Sequence, residues 1–301
     1  MVDWILLSFS SALFLGIYDC LKKKAVHKNA AITTLFFSTT CGGVLCLGLL
    51  IWRHLHISSF SEIIADFPTP SLFEFLLIFA KSTLVSCSWV FAYLSLKHLP
   101  LPIVAPIRSS GPLWTLFLAW FTFSELPNFS QLLAFSLTLG SYLWFSLLGK
   151  KDRLKIFGEP WVLCILIGTW LGAVSAIYDK WLIQVYRLHP MSILLYFFVG
   201  MIFFQGAVLL TVQRMKSETT VFRWRWSIPF VSLALIVSDA LYFYALTNPD
   251  AFIALVSTMR RGSLLVSFIL SLWILREPQA RGKLLPIIGI FLGLAWIGFS
   301  D

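Results

Sequence analysis

Ten apolar runs, most of them about twenty residues long, take up most of this chain. They lie near 3–21, 30–52, 71–96, 101–123, 128–148, 160–183, 190–213, 226–247, 250–274 and 283–299. A bilayer core about 30 Å thick takes roughly 20 apolar residues per helix. Inside it no water reaches the backbone. An α-helix satisfies every N–H and C=O within its own segment, so it is the structure such a run can adopt. A soluble fold fails on charge. Only 12% of the residues are charged and 58% are hydrophobic, whereas a soluble domain carries about 25% charged residues. The expected fold class is an all-α integral membrane protein with ten transmembrane helices. Met1-Val2-Asp3 provides no basic leader and the first lysines follow the first apolar run, so that run is expected to stay as a helix.

The formal charge of +9 would suggest nucleic acid in a soluble protein. Here its placement reads as topology instead. Sixteen of the Lys and Arg residues fall on one side of the ten runs (Lys22 to Lys24, Lys28, Lys97, the Lys150 to Lys155 cluster, Arg214, Lys216, Arg223, Arg225, Arg276, Arg281, Lys283), and only Arg53 and Arg187 on the other. The basic side is therefore expected to be cytoplasmic, with both termini outside. All five cysteines sit in apolar segments without metal-ligand or disulfide spacing. The five histidines lie in loops or at helix ends. HExxH, GxSxG and P-loop motifs are absent. No cofactor or metal and no enzymatic activity are expected.

The chain is also internally repeated. Ile17-Tyr18-Asp19 recurs 160 residues later as Ile177-Tyr178-Asp179, and Arg108 precedes Glu125 by 17 residues just as Arg260 precedes Glu277. The charge run Lys150-Lys151-Asp152-Arg153-Leu154-Lys155 divides the chain into a first unit, 1–150, and a second, 151–301. Five helices per unit is an odd number, so the second copy is expected upside down relative to the first, an inverted repeat. Membrane proteins built this way are commonly carriers whose central site opens to each side in turn.

The residues carry a family resemblance as well. In the first half it rests on Ala12-Leu13-Phe14-Leu15-Gly16-Ile17-Tyr18, Pro102-Ile103-Val104-Ala105-Pro106-Ile107-Arg108, Phe123-Ser124-Glu125 and Gln131-Leu132-Leu133 through Gly140. In the second it rests on Ile177-Tyr178-Asp179-Lys180, Ala254 through Arg261, Leu275-Arg276-Glu277, Gly289-Ile290 and Gly293. In order and spacing these resemble the ten-helix EamA family of the drug/metabolite transporter superfamily, with two EamA repeats. The resemblance implies a secondary carrier with a cavity between the halves. Some members export amino acids or metabolites, and related branches carry nucleotide sugars or triose phosphates. Eukaryotic relatives are usually drawn with both termini cytosolic, against the charge count above.

Eight ionisable residues fall inside the runs: Asp19, Lys81, Arg108, Asp179, Lys180, Asp239, Arg260 and Arg261. A charge at a helix centre costs roughly 2.5–3.5 kcal/mol on insertion scales, so these groups must pair or line a wet cavity. The repeat suggests the pairs Asp19–Arg108 and Asp179–Arg260, one toward each mouth, serving either gating and substrate contact or helix packing alone. Asp239 lies mid-helix. Lys81 is a candidate for snorkelling. Tyr18, Tyr178, Trp89 and Tyr93 are candidate cavity residues. Glu125 and Glu277, each close to a proline, read as loop-facing carboxylates that end their helices. Pro102, Pro106 and Pro112 lie in the fourth run and no interior proline lies in the ninth, so the fourth is expected to be the more bent. Gly289/Gly293 and Ser136/Gly140 read as small-residue pairs for close helix packing, within or between protomers of a homodimer.

Five in-span cations against three anions favour an anionic or zwitterionic solute. The expected function is secondary active transport of a small organic, amino-acid-like metabolite by alternating access, as an exporter in the cell (inner or cytoplasmic) membrane. Its partners would be that small-molecule substrate, the lipid bilayer and a coupling proton or ion, with no nucleic acid. The competing readings are a multidrug or organic-cation exporter, a lipid flippase or a channel of the same fold.

Overall fold

The computed structural model describes residues 4–55, 67–99, 101–147, 160–214, 221–275 and 284–299. The described residues are helical with short connections and include no strand. In chain order the helices are α1 (Trp4–Val26), α2 (Ala31–His54), α3 (Leu72–His98), α4 (Leu101–Ser109), α5 (Gly111–Phe123), α6 (Phe129–Leu147), α7 (Pro160–Lys180), α8 (Pro190–Arg214), α9 (Ser227–Ala245), α10 (Ile253–Arg260), α11 (Ser263–Leu275) and α12 (Leu284–Phe299). A π-helical turn, Trp181–Val185, extends α7. Seven stretches are long and apolar enough to cross a membrane: α1, α2, Leu72–Ala92, Pro160–Val185, α8, α9 and Ile253–Leu270; Leu285–Phe299 is a shorter apolar helix. Leu6, Phe73, Phe121, Phe203 and Phe291 are all more than half exposed. Large apolar side chains turned outward fit a multi-pass membrane protein whose solvent is lipid.

The fourth and ninth runs each contain two helices rather than one, so the ninth is broken as well as the proline-containing fourth. At the first break Pro112 has no N–H to offer the carbonyl of Arg108. The backbone crosses the gap on short bonds, Ser110 N to Ile107 O at 3.1 Å and Leu113 N to Ser110 O at 2.9 Å. At the second break no proline is needed. Gly262 N bonds Met259 O at 2.9 Å and Leu264 N bonds Arg261 O at 3.0 Å, so the chain tightens into three-residue turns around a glycine. Both breaks fall within two residues of the repeated arginine, Arg108 in one half and Arg260 in the other.

Helix pairing repeats between the halves. α1 packs along α9, and α7 packs along α3; α1 also touches α10 and α11, as α7 touches α4 and α5; α3 meets α8, and α9 meets α2. The remaining large contacts, α2 on α8 and α6 on α12, map onto themselves under the same exchange. This is the pattern that a two-fold relation between halves generates. The α1–α9 seam is sealed by reciprocal bonds. Ser11 Oγ donates to Ser238 O at 2.8 Å and Ser238 Oγ to Ser11 O at 2.9 Å. On the α6–α12 seam, a Cβ at Gly293 would sit 2.9 Å from Thr138 N and 3.1 Å from Ala134 O. Gly289 faces Ser141. Gly289 and Gly293 thus pack within the chain, against Ala134, Thr138 and Ser141. Ser136 and Gly140 are exposed, and nothing lies within 4 Å of a Cβ built at Gly140, so this pair does not pack within the chain.

The charge run at 150–155, and with it the division at 150/151, lies outside the described residues, as does Glu277.

Candidate functional site

The repeated step Ile177-Tyr178-Asp179 and the Lys180 that follows it end α7, and the salt-bridge partners of Asp179 and Lys180 come from the other half. At the foot of α5, Ser124 takes a left-handed conformation (φ 55°), which turns the chain sharply into Glu125. Glu125 is 7% exposed and forms an ion pair with Lys180, which is 2% exposed. Lys180 Nζ also donates to Ala251 O at 2.6 Å. Glu125 Oε2 accepts from Ile253 N, the first N–H of α10, at 3.1 Å. A carboxylate there satisfies an orphan helix donor and meets the positive end of the helix dipole. Gln184 holds the loop before α10 by donating to Leu246 O at 2.9 Å and Asn248 O at 2.8 Å. Glu125 is therefore not the loop-facing carboxylate its position suggested.

Next to Lys180 on α7, Asp179 is 4% exposed and pairs with Lys81 from α3, itself 3% exposed. Lys81 does not snorkel. Its ammonium lies between the rings of Phe197 and Phe243, at 4.6 and 4.9 Å from their centroids, in a cation–π cage. Tyr242 donates its hydroxyl to the second oxygen of Asp179 at 3.3 Å. The Arg260 guanidinium stacks on the Tyr242 ring at 4.1 Å and pairs with Asp239 at 2.6 Å. The expected Asp179–Arg260 pair is thus replaced by two others. Asp179 takes Lys81, Arg260 takes Asp239, and Tyr242 lies between them.

Toward the opposite end, Tyr18 lies within electrostatic reach of Asp239, Asp19 and Arg108, and so links this middle group to the first repeat. Asp19 accepts a hydrogen bond from Ser263 and faces Lys22, Arg108 and Arg261. Asp19–Arg108 is therefore part of a cluster and not a salt bridge. This end is more open. Arg108 is exposed, Asp19 and Arg261 are partly exposed, and Asp179 and Lys180 are buried. The equivalent of Lys180 in the first repeat is Cys20, so the first repeat has no lysine at that position.

The other candidates separate. Tyr18 is buried, with Lys22 Nζ 5.2 Å from its ring centroid. Tyr178 points away from the charges, donating to Leu77 O at 3.1 Å and stacking on Trp181 at 5.6 Å. Trp89 packs against the main apolar core. The side chain of Tyr93 lies outside the described residues. Sequence reasoning undervalued Lys81 and Glu125. A lysine in mid-span, ten residues into an apolar helix, is itself the signal for a buried anion. The serine–glutamate step that ends α5 has a weaker signal, since only the fold shows Ile253 and Lys180 beside it.

The network matches charge closely. Lys81, Lys180, Arg108, Arg260 and Arg261 face Glu125, Asp179, Asp239 and Asp19. Two of the salt bridges, Lys81–Asp179 and Glu125–Lys180, join residues on opposite sides of the expected division of the chain. Buried ions require such partners, because an unpaired charge in low dielectric costs several kcal/mol or more.

A solved crystal structure superposes on the chain with a TM-score of 0.72 at 12% identity, covering 99% of this chain and 96% of the other. At that identity the likeness is one of fold. No curated protein sequence matches. The family model of the EamA-like transporter family matches residues 3–147, from α1 to the end of α6. With that match, membrane-length apolar helices and a whole-chain fold relative, the chain belongs to the EamA-like transporter family.

Proposed function

We propose that this protein is a secondary active transporter that moves a small organic metabolite by alternating access between two inverted units, 1–150 and 151–301. The observation that carries the reading is the pair of salt bridges joining those units, Lys81–Asp179 and Glu125–Lys180, grouped toward one end of the molecule. Rocking the units apart at that end breaks both bonds together, and closing the other end compacts the group formed by Asp19, Arg108 and Arg261. With the basic side cytoplasmic, the tied end faces outward and the exposed Arg108 is reached from inside. That arrangement supports loading from the cytoplasm, and so export across the cell membrane. Paired carboxylates and a surplus cation favour an anionic or zwitterionic, amino-acid-like solute. A multidrug exporter of lipophilic cations would want an unpaired carboxylate, whereas Glu125, Asp179 and Asp239 each hold a basic partner.

Counterflow in proteoliposomes tests the reading. Saturable exchange of amino-acid-like solutes is expected. Asp179→Asn and Asp239→Asn should each lower it severalfold or more, since each leaves a buried cation without its anion. Exchange at the wild-type rate in both variants would remove these residues from the mechanism. Lipid scrambling in place of solute exchange would favour a flippase.

A further inference from the structure

Two guanidiniums in the network have no carboxylate to themselves. Lys81, Lys180 and Arg260 each form a salt bridge. Arg108 and Arg261 form none among the described residues, and both lie within electrostatic reach of the Asp19 carboxylate. Asp19 is already engaged by Ser263 and also faces Lys22. Local charge here is therefore positive.

The fold holds these two side chains at the breaks in the fourth and ninth runs. Arg108 is the last residue but one of α4, and Arg261 lies in the turn between α10 and α11. The Arg261 guanidinium reaches across to the other break. A Cβ built at Gly111 would lie 2.9 Å from its Nη2, so the glycine that opens α5 leaves the space the guanidinium fills. Two helices of thirteen residues, α5 and α11, begin at this crossing, and their N-terminal turns add positive potential.

An independent observation comes from α6. Tyr142 is wholly buried, yet its hydroxyl has no hydrogen-bond partner. It lies within electrostatic reach of Arg261. A buried phenol normally finds an acceptor, because leaving it without one is unfavourable. An acceptor placed beside Arg261 would serve the phenol and the guanidinium together.

We infer that Arg108, Arg261 and Tyr142 form a binding site for the oxyanion of the carried solute, a carboxylate or a phosphoryl group. The guanidiniums present fixed forks of donors suited to bidentate oxyanion contact, and the Tyr142 hydroxyl donates a further bond. Exposure of Arg108 gives access from the Asp19 end. This inference rests on the carrier reading above only for the words "carried solute"; binding itself can be measured without flux.

The test is thermal unfolding of the purified full-length chain in detergent, at constant ionic strength. The probes are succinate and inorganic phosphate, with succinamide as the neutral match. A ligand of the native state raises its unfolding temperature saturably. One or both anions should do so and succinamide should not; the better of the two identifies the oxyanion as carboxylate or phosphoryl. Arg261→Gln and Arg108→Gln should each raise the half-saturating concentration about tenfold or more. Gly111→Ala should weaken binding by displacing Arg261. Tyr142→Phe keeps the buried ring and should weaken binding with little change in unprobed stability, so it serves if the arginine variants do not fold. Arg214→Gln, at the far end of α8, should leave the titration unchanged. The inference is overturned if neither anion stabilises saturably, if succinamide does so equally, or if Arg261→Gln and Tyr142→Phe titrate like the wild type. Counterflow separates the two readings. Flux of a neutral or cationic solute without anion stabilisation keeps the carrier and removes this site, whereas stabilisation without flux of any solute keeps the site and removes the carrier.

Discussion

Lys180 shows how much of this protein depends on single side chains. Its ammonium holds Glu125 and the Ala251 carbonyl, and Glu125 in turn holds the first N–H of α10. Replacing Lys180 with methionine would keep much of the volume and leave the carboxylate buried against one N–H. Breaking one side of a buried pair costs about 3–5 kcal/mol, whereas replacing both with apolar residues is often close to neutral. Lys180→Met should therefore lower stability in a denaturant titration by about that amount, and the double variant Glu125→Leu with Lys180→Met should recover most of it. If the double variant were as unstable as the single, packing and not charge would be what Lys180 supplies. The sequence alone locates these groups without pairing them. It marks five cations in apolar runs, and repeat logic assigns Asp179 to Arg260. The fold reassigns it to Lys81, because α7 lies along α3 and the middle of α3 is where its charge falls. Which anion a buried cation takes depends on how helices distant in sequence are packed.

Element boundaries were legible to different degrees. Runs of about twenty apolar residues identify a membrane helix with little help from periodicity, because lipid surrounds the bundle and outward faces stay apolar. Breaks inside a run are another matter. Pro112 announces the first through its missing N–H. The second, at Arg261–Gly262, rests on one glycine and a change to three-residue turns, which an apolar run does not reveal. Helix contacts were partly legible. Gly289 and Gly293 read as a packing pair and do pack, against Ala134, Thr138 and Ser141, whereas Ser136 and Gly140 lie on an exposed face of α6. Gly293 gives this seam its closest approach, and its neighbours there include backbone atoms that cannot swing aside. Gly293→Ala should destabilise the chain by about 1–3 kcal/mol, in the range of overpacked cores. Gly140→Ala, with open space beside it, should change stability little. Equal unfolding midpoints for the two variants would mean that the seam yields more easily than its contacts indicate.

For the molecule as a whole, the main helix pairings of the first half recur in the second, and the differences between the copies of the sequence repeat suggest a mechanism. Each half contributes an Ile-Tyr-Asp step and an arginine beside a break. Only the second adds a lysine, at 180, where the first has Cys20. One end can thus be tied by Glu125 and Lys180, a pair for which the first repeat carries no lysine at the equivalent position. In the proposed cycle the tied end must open once per turnover. Linking positions 125 and 180 tests this directly. Glu125→Cys and Lys180→Cys in a background otherwise free of cysteine would be joined by a short bis-methanethiosulfonate bridge that a reductant removes, and solute exchange would be followed in proteoliposomes. Bridging should abolish exchange and reduction should restore it, with each single variant unaffected by the reagent. Exchange that continues at the unbridged rate with positions 125 and 180 linked would contradict alternating access through this end.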